Sequence, residues 1–102
     1  MGYVKLKKAG TAFDVLSGEG VADVKIGASA KAGKISVQYI GDVANEILIE
    51  PTGWVVGTAS THFVQADVQA IDKAIGLIGG GSGIIDTDAL TKTVASATYA
   101  AL

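Results

Sequence analysis

Few side chains in this 102-residue chain can do chemistry, and their spacing decides which chemistry is open to them. There is one His and no Cys. A thiolate nucleophile, a disulfide and a cysteine-bound metal are therefore excluded, and a zinc or other transition-metal centre has almost no ligands to draw on. His62 is the sole imidazole. A nucleophilic triad would need a hydroxyl and an orienting acid beside it, and its place at the start of a predicted helix favours an exposed or capping role instead. Gly27–Lys34 (GASAKAGK) comes near the phosphate-binding loop, in which four residues separate the first Gly from a Gly-Lys pair followed by Ser or Thr. Here five intervene and Ile35 follows, so no hydroxyl stands ready for magnesium. The segment also joins two strand-like stretches rather than opening a helix. Gly79–Gly83 (GGGSG) follows a helix and lacks the glycine spacing of a dinucleotide site. Ser82 lacks the second Gly of a nucleophile elbow, because Ile84 stands there. Asp86-Thr87-Asp88 offers two carboxylates to a hard cation or, more simply, a turn or helix cap. Glu46 and Glu50 share a strand face, but nothing supplies the cleft and raised pKa of an acid–base pair. The residues thus predict a protein that is not an enzyme, with no metal and no cofactor.

All eight basic residues are Lys. Arg, whose planar fork suits phosphate and guanine, is absent, which lowers the expectation of a sequence-specific nucleic-acid reader. Six Lys face three acids over residues 1–34, whereas two Lys face seven acids over 35–102, within a net charge of −2. The first set, Lys5, Lys7, Lys8, Lys25, Lys31 and Lys34, is the candidate anion or nucleic-acid patch. Single-strand binders combine a basic groove with stacking aromatics, and Lys5, Lys7 and Lys8 near Tyr3 and Phe13 form a sparse version of that pattern. An ordinary solvated face, a sheet edge guarded by Lys, or head-to-tail attraction between copies would account for the same charges. Phe13, alternating with Asp14, reads as a core residue.

The elements that must position these residues belong to one domain, 1–102, with 49% hydrophobic and 18% charged residues. No apolar run approaches the roughly 18 residues of a membrane helix, and the first residues lack the apolar stretch of a secretion leader. Residues 3–50 read as strands. Ala12–Ser17 places Phe13 and Val15 opposite Asp14 and Leu16. Val21–Ile26 sets Ala22, Val24 and Ile26 against Asp23 and Lys25. Ile35, Val37 and Tyr39 alternate cleanly with Ser36 and Gln38, and after a turn at Gly41-Asp42 a return strand carries Ile47 and Ile49 to Pro51-Thr52-Gly53. Leu48 stands between Glu46 and Glu50 on the side that should be wet. Ser60-Thr61 then offers an N-cap to a helix over 61–78, in which Val64, Val68, Ile71, Ile75 and Ile78 recur at helical spacing beside a second stripe of Phe63, Ala70, Ala74 and Leu77. The combined apolar arc spans roughly 200°, against the 100° or so of a surface helix. Asp67 falls inside this arc, near the helix N-terminus where the dipole favours a carboxylate. Gly79-Gly80-Gly81 ends the helix. Thr93–Tyr99 reads as a strand, although Asp86 or Thr87 could instead cap a second helix.

Strands followed by a helix predict an α+β fold: a strongly bent antiparallel sheet, or a small partly closed β-barrel, of about four to five strands covered by one main helix. Gly and Ala abound while aromatics are scarce, and small side chains bury little area at about 25 cal/mol per Å². A thin core and an over-wide apolar helix together predict burial against a second copy of the chain. The candidate oligomer interface is the outer helix flank with Phe63, Ala70 and Leu77, or the Leu48 face.

The segments Tyr3-Val-Lys-Leu-Lys-Lys-Ala-Gly-Thr-Ala-Phe13-Asp14-Val15-Leu16, Lys34-Ile-Ser-Val-Gln-Tyr39 and Ala70-Ile71-Asp72-Lys73-Ala74-Ile75 resemble a loose group of small proteins encoded by marine tailed bacteriophages and found in ocean metagenomes. The likeness implies a viral structural or accessory protein, in the host cytoplasm or the virion, with itself or other virion proteins as partners. It implies no activity and transfers no site residue. At the level of pattern the chain also resembles Sm-like small barrels, which would make it a nucleic-acid-binding module.

Overall fold

The computed structural model describes residues 2–78, 83–87 and 89–102. Seven strands and one helix follow in the order β1 (Gly2–Lys7), β2 (Phe13–Ser17), β3 (Val21–Ile26), β4 (Ile35–Tyr39), β5 (Asp42–Pro51), α1 (Gln65–Ile78), β6 (Gly83–Asp86) and β7 (Val94–Ala101). The class is α+β as the sequence predicts, but the strands form two sheets rather than one. The first has the order β2-β1-β6 and the second β3-β4-β5-β7. Neither closes into a barrel among the described residues.

The extra sheet arises from a pairing that local periodicity does not encode. β1 pairs antiparallel with β2, Val4 opposite Leu16 and Lys5 opposite Val15. It also pairs parallel with β6, Val4 opposite Ile85. Thr87 extends this seam by giving both its N–H and its hydroxyl to the carbonyl of Lys5, at 3.3 and 2.7 Å. The second sheet is antiparallel throughout. Its β4–β5 hairpin follows the alternation of its residues, Ile35 opposite Ile49 and Val37 opposite Ile47. In β3 a register shift between Val21 and Asp23 brings Val21, rather than the expected Ala22, to the core side; Ala22 is exposed. Residues 94–101 are strand and not helix, as their β-branched and aromatic content favours.

One core serves both sheets. Val4, Leu6 and Leu16 come from the first, Ile35, Val37, Ile49 and Val94 from the second, and Val68, Ile71 and Ala74 from α1, which lies against β1, β6 and β3. Phe63, just ahead of α1, completes it at 2% exposure. The Tyr39 hydroxyl ties the sheets together by donating to the Ser17 carbonyl at 2.6 Å, and burial pushes its pKa up.

The helix starts four residues later than 61, and Ser60-Thr61 does not cap it. Ala59–Thr61 is a separate 3-10 turn. The Thr61 hydroxyl accepts from Val55 N–H at 2.9 Å and donates to the Thr58 carbonyl at 2.7 Å. The cap is Asp67 instead. Its Oδ2 accepts from Val64 N–H at 2.9 Å, a reciprocal arrangement at the helix entrance, because Asp67 N–H in turn reaches the Val64 carbonyl. Asp67 is fully buried and also takes the N–H and hydroxyl of Thr91, at 2.7 and 2.8 Å. The carboxylate that interrupts the apolar arc is thus the peg joining α1 to the segment before β7. The glycine stop at 79–81, Ser82 and Asp88 lie outside the described residues.

Candidate functional site

The outer face of the second sheet carries its charged chemistry, and Gly33 allows that chemistry to assemble. Gly33 has φ +79°, and a Cβ there would run into the His62 ring. The close approach lets Phe63 N–H reach the Gly33 carbonyl at 2.9 Å and brings residues 52–62 back over the sheet. Trp54, in that loop, donates its Nε1–H to the Ala32 carbonyl at 2.9 Å. Its ring lies 4.3 Å from Lys34 Nζ and stacks on His62 with centroids 5.9 Å apart and planes 20° apart. Lys34 Nζ is also 3.0 Å from Glu50 Oε1, its cross-strand neighbour. Further along this face Glu46, only 4% exposed, accepts from Lys31 Nζ and Ser36 Oγ, each at 3.0 Å. Leu48 is half-buried between these two ion pairs, opposite Ser36 and Thr98.

This arrangement fixes what the candidate groups can do. His62 donates Nε2–H to the Val55 carbonyl at 3.0 Å and is stacked on Trp54, so its ring orders a loop. Glu46 and Glu50 are each matched to a lysine. Lys31 and Lys34 are therefore engaged in their own sheet, and an anion would have to displace a carboxylate to recruit either. Among the described residues no three His, Asp or Glu side chains converge as metal ligands, and no helix is long and apolar enough to cross a membrane.

The six lysines do not form one patch. Lys25 is exposed on β3 opposite Ser36, on the face shared with Lys31 and Lys34. Lys5 and Lys7 lie on β1 of the other sheet. There Lys5 Nζ sits 4.5 Å over the Phe13 ring, and Lys8 pairs with Asp14 at 3.7 Å. Phe13 is not the core residue that its alternation with Asp14 implied. It is 48% exposed and shares the outward side of β2 with Val15, while Leu16 turns inward. Tyr3 and exposed Ile84, side by side on β1 and β6, continue this aromatic and aliphatic surface.

The oligomer candidates separate too. Phe63 is inside the core and is unavailable to a second copy. Ala70 and Leu77 do lie together, half-buried and exposed respectively, at the rim of a hollow of about 230 Å³ that Lys73, Ala74, Ile85 and Thr87 complete. On the opposite flank of α1 a groove of about 310 Å³ runs along β3, lined by Asp23, Val24, Gln65, Val68, Gln69 and Asp72 among others.

Residues that belong to no sequence motif gather at the β4–β5 turn. Ile40, Val43, Tyr99 and Leu102 are all exposed there, and Leu102 N–H donates to the Ala44 carbonyl. The Tyr99 hydroxyl donates to Asp42 Oδ2, and Asn45 Nδ2–H donates to Asp42 Oδ1 at 2.7 Å. The Asn45 bond, with that of Tyr99, holds the Asp42 pKa below the usual carboxylate value, and the same bond to Asp42 raises Tyr99. No family model, curated protein or solved structure matches the chain.

Proposed function

We propose that the chain is a non-catalytic, self-associating structural or accessory protein, of the bacteriophage kind that its sequence resembles, with further copies of itself and other virion proteins as its partners. One observation carries this reading. Eleven large hydrophobic side chains are exposed among the described residues, as many as the hydrophobic residues that make the core. Scattered single exposures are ordinary, but Phe13, Val15 and Ile84 share one sheet face, and Ile40, Val43, Tyr99 and Leu102 share one end. Water-exposed surface of this kind is stabilised by closing it against an identical surface. Native mass spectrometry of the full chain at micromolar concentration is expected to give a closed oligomer. A single-chain species throughout the range would overturn the reading.

A second reading, a nucleic-acid-binding module of Sm-like small-barrel type, is favoured by the outward Phe13 with Lys5 on its ring and Tyr3 and Lys7 nearby. The partly closed barrel belongs to it, supported by the core common to both sheets and the Tyr39–Ser17 link. It weighs less because Lys31 and Lys34 are paired with glutamates. It requires binding of a single-stranded oligonucleotide that weakens steeply between low and moderate salt, and no retention at low salt would remove it.

A further inference from the structure

We infer that β7 is the joint between copies: two chains pair their β7 strands antiparallel about a two-fold axis, giving one continuous sheet in the order β3-β4-β5-β7-β7-β5-β4-β3. The inference rests on the self-association reading and specifies which surface carries it.

β7 is the last strand of its sheet, hydrogen-bonded along one side to β5. An edge strand leaves a row of N–H and C=O groups facing outward, and proteins that stay single blunt such edges with charge, bulges or brevity. The other edges of this molecule are blunted in those ways. β3 carries Asp23 and Lys25 and a register shift. β2 has five residues, including Asp14 with its Lys8 partner. β6 has four. β7 has eight residues, VASATYAA, with no charge and no proline, and its one register shift, between Ser96 and Val94 opposite Glu50 and Pro51, falls at its first residues and leaves Ser96–Ala101 regular.

The occupant follows from what a two-fold pairing demands. Each residue meets its own kind or a near neighbour in the same strand, and like charges placed opposite one another are destabilising. An uncharged strand of small residues meets that condition. The carboxylates of β5 stand one strand further in: Glu46 and Glu50 are balanced by Lys31 and Lys34, and Asp42 accepts from Tyr99 and Asn45. Tyr99 supplies the apolar contribution. It lies opposite Ile47, on the side of β7 that faces the core, with its hydroxyl on Asp42, and is 61% exposed. A second β7, about 4.8 Å away, would cover it.

The test compares the wild-type chain with Thr98→Lys and Thr98→Glu. Thr98 is exposed, sits near the middle of β7 and points away from the core. Light scattering after size exclusion is expected to give twice the single-chain mass for wild type, the single-chain mass for each variant alone, and the double mass again when the two variants are mixed. Variants that keep the wild-type mass overturn the β7 joint while leaving self-association standing. A wild type of single-chain mass overturns both. Mass that grows without limit overturns the two-fold pairing. Should either variant fail to fold by circular dichroism, amide exchange on the wild type decides. Protection of β7 amides must rise with protein concentration, and constant protection overturns the joint.

Discussion

Asp67 is the residue on which the helix and its surroundings most depend. Its carboxylate satisfies three donors in a fully buried position: Val64 N–H, Thr91 N–H and the Thr91 hydroxyl. A buried donor left without a partner costs about 1–3 kcal/mol, so Asp67→Ala is expected to lower unfolding free energy by about 3 kcal/mol or more. Thr91→Ala, which keeps the backbone donor, should cost about 1 kcal/mol. Urea denaturation of the two variants checks the order, and equal losses would contradict it. The sequence places Asp67 near a helix N-terminus, where a carboxylate is tolerated, but the partner 24 positions away is a tertiary fact that no local pattern holds. Asp42 gives a pH signature at the same scale. Its folded pKa lies below the unfolded value, so the stability it contributes is present above the unfolded carboxylate pKa and is lost as pH falls through the folded one. Asn45→Ala removes the largest cause and should move the Asp42 titration, followed by carbon-detected NMR, back toward the ordinary value. Tyr39 acts in the opposite sense. Its pKa is raised, so its contribution is present below the ordinary tyrosine pKa and fades as pH rises through the higher folded value.

Elements were legible wherever a strand pattern was local. The Ile35–Tyr39 and Ile47–Ile49 alternation and the helix body around Val68, Ile71 and Ala74 follow from spacing, and the strand near Thr93–Tyr99 follows from β-branched residues that disfavour the alternative helix. Pairing over long separations was not. β1 joins β6 across most of the chain, which turns one expected sheet into two. The side of β2 that faces the core was also hidden, because Phe13-Asp14-Val15-Leu16 carries apolar residues on both sides and only packing on β1 selects Leu16. The charged face was legible as Glu46 and Glu50, but not its lysines, since Gly33 sets the path that brings Lys31, Lys34 and Trp54 over it. Gly33→Ala tests that junction. The added Cβ strikes the His62 ring at a φ that disfavours side chains, so a loss above about 1 kcal/mol is expected. Adding His62→Ala should recover the part due to the clash and leave the backbone part. A double variant with the full summed losses would contradict the contact.

The molecule as a whole is flat, 38 × 32 × 20 Å. Its accessible surface of 5379 Å² agrees with the roughly 5300 Å² expected of a folded chain of 10.2 kDa. Exposure of Phe13, Val43, Leu77 and Tyr99 is therefore a property of which residues occupy the surface, not of a splayed shape. The helix only partly answers the expectation of an over-wide apolar arc. Val68, Ile71 and Ala74 face the core, while Leu77 remains exposed at 64%. The surplus apolar surface is spread over the sheet faces and the β4–β5 end, with the uncharged β7 edge beside it. Sedimentation equilibrium of the wild-type chain from sub-micromolar to hundred-micromolar concentration measures the consequence. A closed species of fixed stoichiometry that dissociates on dilution is the predicted result, and a single-chain mass at every concentration would contradict it.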